Sequence, residues 1–112
     1  MTYGDPRQLK GATSEAIALQ ILIKHGYHVF IPFRKNGPVD LYCIHPDTGR
    51  ELKLDIKTDG TRMNPGRSKA ARIHRRRSPT QKKLGVYMGY CNIQNQRLWI
   101  TFGRGEQPLV LE

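Results

Sequence analysis

One stretch of the chain, Glu51–Thr58, alternates between apolar and polar residues, which is the period of a β-strand with a single buried face. Its apolar positions are Leu52, Leu54 and Ile56, and the charged positions between them are Lys53, Asp55 and Lys57. The sequence His45-Pro46-Asp47-Thr48-Gly49 before it has the composition of a turn, and residues 39–44 before that turn have the composition of a strand. We therefore predict an antiparallel hairpin formed by strands at 39–44 and 51–58.

The patterns around this hairpin predict a mixed fold. Residues 12–25 predict a helix that is apolar on most sides, with Thr13 or Ser14 as its cap and Gly26 as its stop signal. Further strands are expected at 27–33, 85–93 and 97–102, and Ser78-Pro79-Thr80-Gln81 predicts the start of a short helix. We expect an α/β (α+β) architecture, with a central mixed sheet of about five strands flanked by helices, in a single domain over residues 1–112.

The chain carries a large excess of positive charge, with 19 Lys and Arg against nine Asp and Glu and a formal net charge of +10. This excess predicts a polyanionic partner, most simply nucleic acid. An anionic membrane is the rival, but no apolar run approaches the roughly 20 residues of a membrane-spanning helix, and no signal segment opens the chain. We therefore expect no membrane partner and a cytoplasmic, intracellular location. A protein encoded by a phage and made inside its host is compatible with this expectation.

The positive charge is concentrated in one part of the chain. No Asp or Glu occurs between Gly60 and Gly105, and nine of the 19 basic residues fall between Arg62 and Lys83. The part at about 60–78 has few apolar residues, which predicts a basic, mobile loop that becomes ordered on a phosphate-rich partner. A loop that only solubilises the protein, or a targeting signal, is the alternative that this composition leaves open.

Acidic residues that could bind a metal lie in the first half. Asp55 and Lys57 are two positions apart on one strand, so their side chains leave the same face, and Asp40 lies in the preceding strand. Two carboxylates on neighbouring strands repel each other unless a cation lies between them. Oxygen ligands without His or Cys suit Mg²⁺, with Mn²⁺ as the alternative, and the carbonyl of Ile56 is a further oxygen within reach. Glu15 shares a helix stripe with apolar residues, where a carboxylate is costly unless it is paired or metal-bound.

Each of these residues also has an ordinary structural interpretation. Glu15 suits the first turn of a helix for electrostatic reasons, and Asp55 and Lys57 suit the exposed face of an alternating strand. Cys43 and Cys91 lack the spacing of a zinc site, and we interpret both as small apolar residues. The joint pattern, and no single residue, favours a metal site.

The order of these motifs resembles that of the PD-(D/E)XK nuclease superfamily over residues 10–58. The matching motifs are Lys10-Gly11-x-x-Ser14-Glu15, Gly26-Tyr27-x-Val29-x-x-Pro32, Pro38-Val39-Asp40-Leu41 and Asp55-Ile56-Lys57-Thr58. The chain departs from the family pattern in the residue between Pro38 and Asp40 and in having Asp55 where Glu is more frequent. The resemblance implies a restriction-endonuclease-like core and catalytic residues Glu15, Asp40, Asp55 and Lys57. It also implies that Mg²⁺ is held by Asp40, Asp55, the backbone carbonyl of Ile56 and, directly or through a water, Glu15.

The resemblance implies a Mg²⁺-dependent endodeoxyribonuclease, a hydrolase that cuts phosphodiester bonds. Two branches are similar in size and pattern: the Holliday junction resolvases, which act in DNA recombination, and the small intron-encoded or restriction-like endonucleases. Duplex or branched DNA is then the partner, and we expect a homodimer because cutting both strands needs two active sites. The late strands either supply the apolar contact of that dimer or complete the core, through Tyr87, Met88, Tyr90, Trp99 and Ile100.

Basic and amide side chains near the predicted site and in the basic segment are candidates for DNA binding, since cations on phosphates give affinity through counterion release. The set is Lys10, Arg34, Lys35, Arg62, Arg67, Lys69, Arg72, Arg75, Arg76, Arg77, Gln81, Lys82 and Lys83. Of these, Arg62 and Gln81 are also candidates for contacts with bases.

A non-catalytic basic module that binds nucleic acid is the alternative function. The size and charge of this chain fit such a binding module as well as they fit a nuclease. It leaves unexplained why three acids occur in nuclease order, since carboxylates oppose phosphate binding unless a cation mediates it. An RNA substrate is disfavoured because the basic segment holds few aromatic residues for base stacking.

Overall fold

The computed structural model describes residues 6–34, 36–59, 61–63, 70–72, 76–103 and 105–112, with only the backbone described at 7, 61–63 and 70–72. Two helices and eight strands occur in this part of the chain. In chain order they are α1 (Pro6–Lys24), β1 (His28–Phe30), β2 (Leu41–Ile44), β3 (Glu51–Thr58), β4 (Thr61–Met63), β5 (Ala70–Arg72), α2 (Pro79–Leu84), β6 (Val86–Asn92), β7 (Arg97–Thr101) and β8 (Leu109–Leu111).

Six of the strands form one mixed sheet in the order β1-β2-β3-β6-β7-β8. The predicted hairpin is β2 and β3, which pair antiparallel with Leu41 opposite Leu54. On its other edge β3 pairs in parallel with β6, and the connection between these two strands contains the antiparallel pair β4–β5 and the helix α2. The predicted mixed sheet flanked by helices is therefore confirmed, and it has one strand beyond the five expected. That strand, β8, is only three residues long, too short to show a periodic pattern in the sequence.

Helix α1 begins six residues earlier than predicted. Pro6 stands at its first position, where proline is favoured because the missing N–H would have no helical partner. Thr13 and Ser14 are therefore interior residues and not caps, and the Thr13 hydroxyl donates to the carbonyl of Leu9 at 2.8 Å. Gly26 follows the helix with a positive φ of +91°, so the predicted stop signal is confirmed.

The two faces of the sheet are covered differently. The apolar face predicted for β3 is confirmed, since Leu52, Leu54 and Ile56 are buried and share a core with Ala18 and Leu22 of α1. The same core contains Ile21, Tyr27, Leu41, Cys43, Cys91, Leu98, Ile100 and Leu111. Burial raises the pKa of the Cys43 thiol to about 12 and that of Cys91 to about 11, as expected for cysteines that act as small apolar residues.

Helix α2 packs against the charged face of β3. The Lys53 Nζ donates to the carbonyl of Leu84 at the end of α2, at 3.0 Å. The helix starts at a capping box in which Ser78 and Gln81 bond to each other's backbone N–H groups, and it ends at Gly85 with φ of +73°. In the described part of the chain, neither helix has the length and hydropathy needed to cross a membrane.

Two glycines give a matched test of this backbone. A Cβ added at Gly11, inside α1, would meet nothing within 4 Å, so Gly11→Ala removes the entropic cost of a helical glycine without a clash. We expect it to raise the free energy of unfolding by about 0.5–1 kcal/mol.

At Gly26 an added Cβ would lie 3.0 Å from His45 Nε2 and the φ is +91°, so we expect Gly26→Ala to lower the free energy of unfolding by roughly 1–3 kcal/mol. Urea denaturation measures both changes, and a destabilising Gly11→Ala would contradict the described helix.

Candidate active site

Asp40 lies at the point where β2 begins. Its backbone N–H donates to the carbonyl of Leu54 at 2.8 Å, so this residue stays beside β3 although β2 starts only at Leu41. Since Leu41 pairs with Leu54, the next position in the register places Asp40 beside Asp55. The Asp40 carboxylate accepts the backbone N–H of Ile56 at 2.7 Å. The hairpin therefore brings the two predicted carboxylates together, as the sequence indicated.

Asp55 and Lys57 lie on the charged face of β3 and form an ion pair. The Lys57 Nζ is 3.3 Å from Asp55 Oδ1. The Asp55 side chain is only 13% exposed, whereas that of Lys57 is 43% exposed and reaches toward solvent. Lys57 thus places a positive charge between a nearly buried carboxylate and the open surface.

Gln81 of α2 provides a third contact to this pair. Its side-chain Nε2 donates to Asp55 Oδ2 at 2.7 Å and to the carbonyl of Pro38 at 3.0 Å, and the residue is only 7% exposed. The sequence prediction placed Gln81 among the DNA-contacting residues, and the structure corrects this, because its amide is engaged inside the protein. The capping-box spacing signalled the start of α2, but nothing local signalled that this side chain reaches Asp55.

The site is electrostatically strained in the absence of a cation. The pKa of Asp40 is raised from 3.8 to about 6, chiefly by burial, with smaller contributions from the charge of Asp55, a hydrogen bond with its side chain and the charge of Glu15. The hydrogen bond from the Ile56 N–H opposes this shift. Two of the three predicted acids therefore lie in contact, and the third lies close enough for its charge to act on Asp40.

Glu15 reaches the site from α1. Ser14, which is 1% exposed, hydrogen-bonds to the Thr58 hydroxyl at 2.7 Å and so fixes α1 against the end of β3. Glu15 itself is exposed, which corrects the expectation that it would lie on a buried stripe. Ser14 and not Glu15 occupies the buried position, because Ser14 is four and eight positions before Ala18 and Leu22 and shares their buried face of the helix.

These side chains line an open cavity of about 530 Å³. It lies beside the second half of β3, which extends past the start of β2. The lining residues are Lys10, Gly11, Glu15, Gly37, Asp40, Asp55, Ile56, Lys57, Thr58 and Tyr90. All four predicted catalytic residues therefore share one cavity, and Lys10, predicted to bind DNA, lies at its wall.

The donor set of this cavity fits a hard divalent cation. Among the residues that the structure describes, no three or more His, Cys, Asp and Glu side chains form a metal-binding group. Magnesium, however, is commonly bound through one or two carboxylates, with waters and substrate phosphates as the other ligands. Asp40 and Asp55 supply such a pair, and the strain on Asp40 is of the kind that a bound cation relieves.

The predicted DNA-binding residues that the structure describes differ in their surroundings. Arg34 lines an adjoining cavity together with Glu15 and Asp40, and Arg76, Lys82 and Lys83 are exposed. Arg77 is half-buried. Its Nη1 donates to the carbonyl of Val86 at 3.2 Å, and its guanidinium lies over the Tyr87 ring, 5.2 Å from the ring centroid.

For six of the predicted DNA-binding residues, the structure describes no side-chain contacts. Arg62 and Arg72 belong to the paired strands β4 and β5, where only the backbone is described. The positions of Lys35, Arg67, Lys69 and Arg75 lie outside the described residues, as does most of the segment predicted to be a mobile loop.

The late strands complete the core of this chain. Met88, Tyr90 and Ile100 are at most 4% exposed, and Tyr87 packs edge-on against Phe102 with ring centroids 5.1 Å apart. Of the two interpretations given for these residues, the structure supports the core. Met88, Tyr90 and Ile100 are therefore not available as the apolar surface of a dimer, whereas Tyr87 and Trp99 are partly exposed.

Comparison with solved structures identifies a similar fold. No protein-family model matches the sequence, and no curated protein matches it. Among solved structures, the chain is similar to the bacterial homing endonuclease I-Ssp6803I, with a TM-score of 0.60 and 16% sequence identity over 97% of this chain and 76% of that chain. At this identity the likeness shows the fold, which is the mixed α+β fold of that endonuclease.

The raised pKa of Asp40 predicts a pH-dependent stability in the metal-free protein. Because the folded-state pKa lies above the unfolded value of 3.8, the stability it contributes is present below that value and is lost as the pH rises through about 6. Asp40→Asn removes this titration. In the presence of a chelator, we expect its stability relative to wild type to improve between about pH 4 and pH 7, by about 1–2 kcal/mol after allowing for partial solvent exposure. Urea denaturation across this range measures the difference, and a pH-independent difference would contradict it.

Proposed function

We propose that this protein is a metal-dependent endonuclease that hydrolyses DNA phosphodiester bonds and has the active-site pattern of the PD-(D/E)XK nucleases. The observation that carries the proposal is the contact of Asp40 with Asp55, with Lys57 3.3 Å from Asp55, in an open cavity of a chain with a net charge of +10. Paired carboxylates oppose phosphate binding unless a cation mediates it. Cation-assisted phosphate chemistry accounts for both the acidic site and the basic chain.

The fold supports this assignment. The similar structure is named as a bacterial homing endonuclease, and we transfer DNA cleavage to this chain as a proposal. Because one fold hosts many functions, the side chains of the cavity carry more weight than the fold does.

Asp40, Asp55 and the Ile56 carbonyl would hold Mg²⁺, with Mn²⁺ as the alternative. The N–H and C=O of a strand residue point to the same edge, and the Ile56 N–H points to Asp40, so its carbonyl is directed to the same side. When bound, the ion supplies Lewis-acid stabilisation of the charge that develops on the phosphate. Glu15 also lines the cavity, but in the described part of the chain it does not form a three-carboxylate group with Asp40 and Asp55. It would therefore act on the ion through a water.

Lys57 would orient the attacking water and offset negative charge on the phosphate. Its ammonium is held by Asp55 and its side chain is 43% exposed, so it can contact both that carboxylate and a substrate group in the cavity. Gln81 holds the other oxygen of Asp55 at 2.7 Å and would keep that carboxylate in one orientation. Two neighbours on separate oxygens therefore position Asp55.

DNA would lie across the cavity mouth and the exposed cations around it. Lys10 lies in the wall of the cavity, Arg34 lies in the wall of the adjoining one, and Lys82 and Lys83 follow Gln81 on α2. These cations would contact phosphates and contribute affinity through counterion release. The other basic residues predicted from the sequence are further candidates for phosphate contacts, and Lys35, Arg67, Lys69 and Arg75 among them lie outside the described residues.

Two forms of the activity fit the site: cleavage of a linear duplex, as in the homing or restriction-like branch, and cleavage of branched DNA, as in the Holliday junction resolvases. Either would use a homodimer to cut both strands, since each chain has one such cavity with the proposed catalytic residues among its described residues. The competing function is a basic module that binds nucleic acid without cutting it, which the charge alone would equally support.

Cleavage assays test this proposal. Supercoiled, linear, single-stranded and four-way-junction DNA are incubated with the wild-type protein and Mg²⁺, Mn²⁺ or a chelator. We expect cleavage that depends on the metal, and we expect Asp55→Asn to reduce its rate by at least about 100-fold, because it removes a charge that acts in the transition state. DNA affinity should be retained or improved in this variant, since it removes a negative charge from the binding surface.

Matched controls use exposed or differently placed residues of the same type. Asp47→Asn alters an acid in the turn before β3, and Lys53→Ala alters a lysine on the same face of β3 as Lys57. Both should cut at near wild-type rates. Normal cleavage by Asp55→Asn would show that the site is wrongly assigned, and binding without cleavage of any DNA by the wild type would establish the binding module instead.

A further inference from the structure

An exposed apolar patch follows the first strand of the sheet. Phe30, Ile31 and Phe33 are 53%, 68% and 101% exposed, and we refer to them as the 30–33 patch. Single exposed apolar residues are ordinary on protein surfaces. Three within four consecutive positions, including a phenylalanine that is fully exposed, are a local concentration of exposed apolar side chains of the kind that marks an interaction site.

The patch borders the candidate active site. The segment after β1 forms a wall of the second cavity, of about 620 Å³, in which Ile31 and Arg34 lie with Glu15 and Asp40. Glu15 and Asp40 also line the first cavity, so the two cavities share a boundary. Phe33 directly precedes Arg34 and projects its whole side chain into solvent. Phe33 is not among the residues that line these two cavities, so a molecule held over the carboxylates through Arg34 would meet Phe33 where it extends beyond the cavity.

The positive charge of the chain indicates which molecule binds to this surface. The chain has a net charge of +10, and the exposed Arg34 lies directly beside Phe33. A second copy of the chain would bring the same excess of positive charge, whereas DNA brings the opposite charge. An intact duplex, however, offers phosphates, sugars and groove edges to a protein side chain and hides the faces of its bases. A fully exposed aromatic ring is matched by the face of a base that has left the stack.

We propose that Phe33 stacks on an unstacked nucleobase of the DNA bound at this site, and that the preferred substrate is DNA with a disrupted base stack. This inference rests on the proposed function, since it takes DNA as the occupant of the cavity. Phe33 acts as the residue that distinguishes disrupted DNA from an intact duplex, while Arg34 contacts the flanking phosphate.

Fluorescence anisotropy tests the inference without cleavage. Two labelled DNA probes with the same number of phosphates, one an intact duplex and one a duplex with a bulge of unpaired bases, are titrated in the presence of a chelator. The wild type should bind the bulged DNA more tightly than the intact duplex. Phe33→Ala should weaken binding to the bulged DNA by about 5- to 100-fold, the equivalent of about 1–3 kcal/mol for one stacked base, and should change duplex binding little.

Two further variants sharpen the test. Phe33→Tyr retains the ring and should retain the preference for bulged DNA. Val110→Ala shortens an exposed apolar residue, 46% exposed, on the strand at the opposite edge of the sheet, and it should leave both affinities unchanged. Since Phe33 is fully exposed, its replacement should not lower the midpoint of thermal unfolding.

Three results would overturn the inference: wild-type affinity of Phe33→Ala for the bulged DNA, an equal loss on both probes, or a wild-type dimer that Phe33→Ala converts to a monomer. The last would assign the patch to a contact between two copies. Failure of the proposed function is distinguishable, because absence of metal-dependent cleavage would leave a Phe33-dependent preference for bulged DNA measurable.

Discussion

The hydrogen bond between the Ile56 N–H and the Asp40 carboxylate is the contact on which the candidate site depends. The pairing of β3 with β2 stops at Leu41 and Leu54, so the N–H of Ile56 lies beyond the last paired residue of β2. Asp40 satisfies this N–H at 2.7 Å with its side chain. The same bond therefore completes the sheet at this point and holds one carboxylate beside the other. Helix α1, fixed to Thr58 by Ser14, then closes one side of the resulting cavity.

The arrangement is unfavourable for the protein alone. Burial and the charges of Asp55 and Glu15 raise the pKa of Asp40, which means that ionising this group costs stability in the folded state. The Ile56 N–H offsets part of this cost by donating to the Asp40 carboxylate, while Lys57 and Gln81 contact the two oxygens of the neighbouring Asp55. Acidic groups held together against their own repulsion are typical of sites where stability is lowered for the sake of function. A cation between them is the simplest physical reason for keeping the pair.

Much of this site could be predicted from local sequence patterns. The alternation of Glu51–Thr58 and the turn before it determine both the strand and its partner, and β3 has the predicted bounds. From that hairpin alone, Asp40 is expected beside Asp55 and Lys57 is expected on the same face as Asp55. The burial of Leu52, Leu54 and Ile56 follows from the same period.

The parts that were not predicted depend on contacts between distant residues or on weak local signals. Gln81 reaches Asp55 and Pro38 across 26 and 43 positions of sequence, and its local spacing encodes only a helix cap. The parallel pairing of β3 with β6 is likewise a long-range contact, and β8 has only three residues. The start of α1 was misplaced because Gly11 and the polar residues before it lack a periodic apolar pattern. The exposure of Glu15 was misjudged because Ser14, one position earlier, shares the buried face with Ala18 and Leu22.

Binding of Mg²⁺ to the protein without DNA tests the central claim most directly. Thermal unfolding is followed near neutral pH with a chelator and with millimolar Mg²⁺, for the wild type and for the double variant Asp40→Asn/Asp55→Asn. A cation bound between these carboxylates stabilises only the folded state, so Mg²⁺ should raise the wild-type midpoint by a few degrees and leave that of the double variant unchanged. An equal rise in both proteins, or no rise in the wild type, would contradict a cation site formed by Asp40 and Asp55.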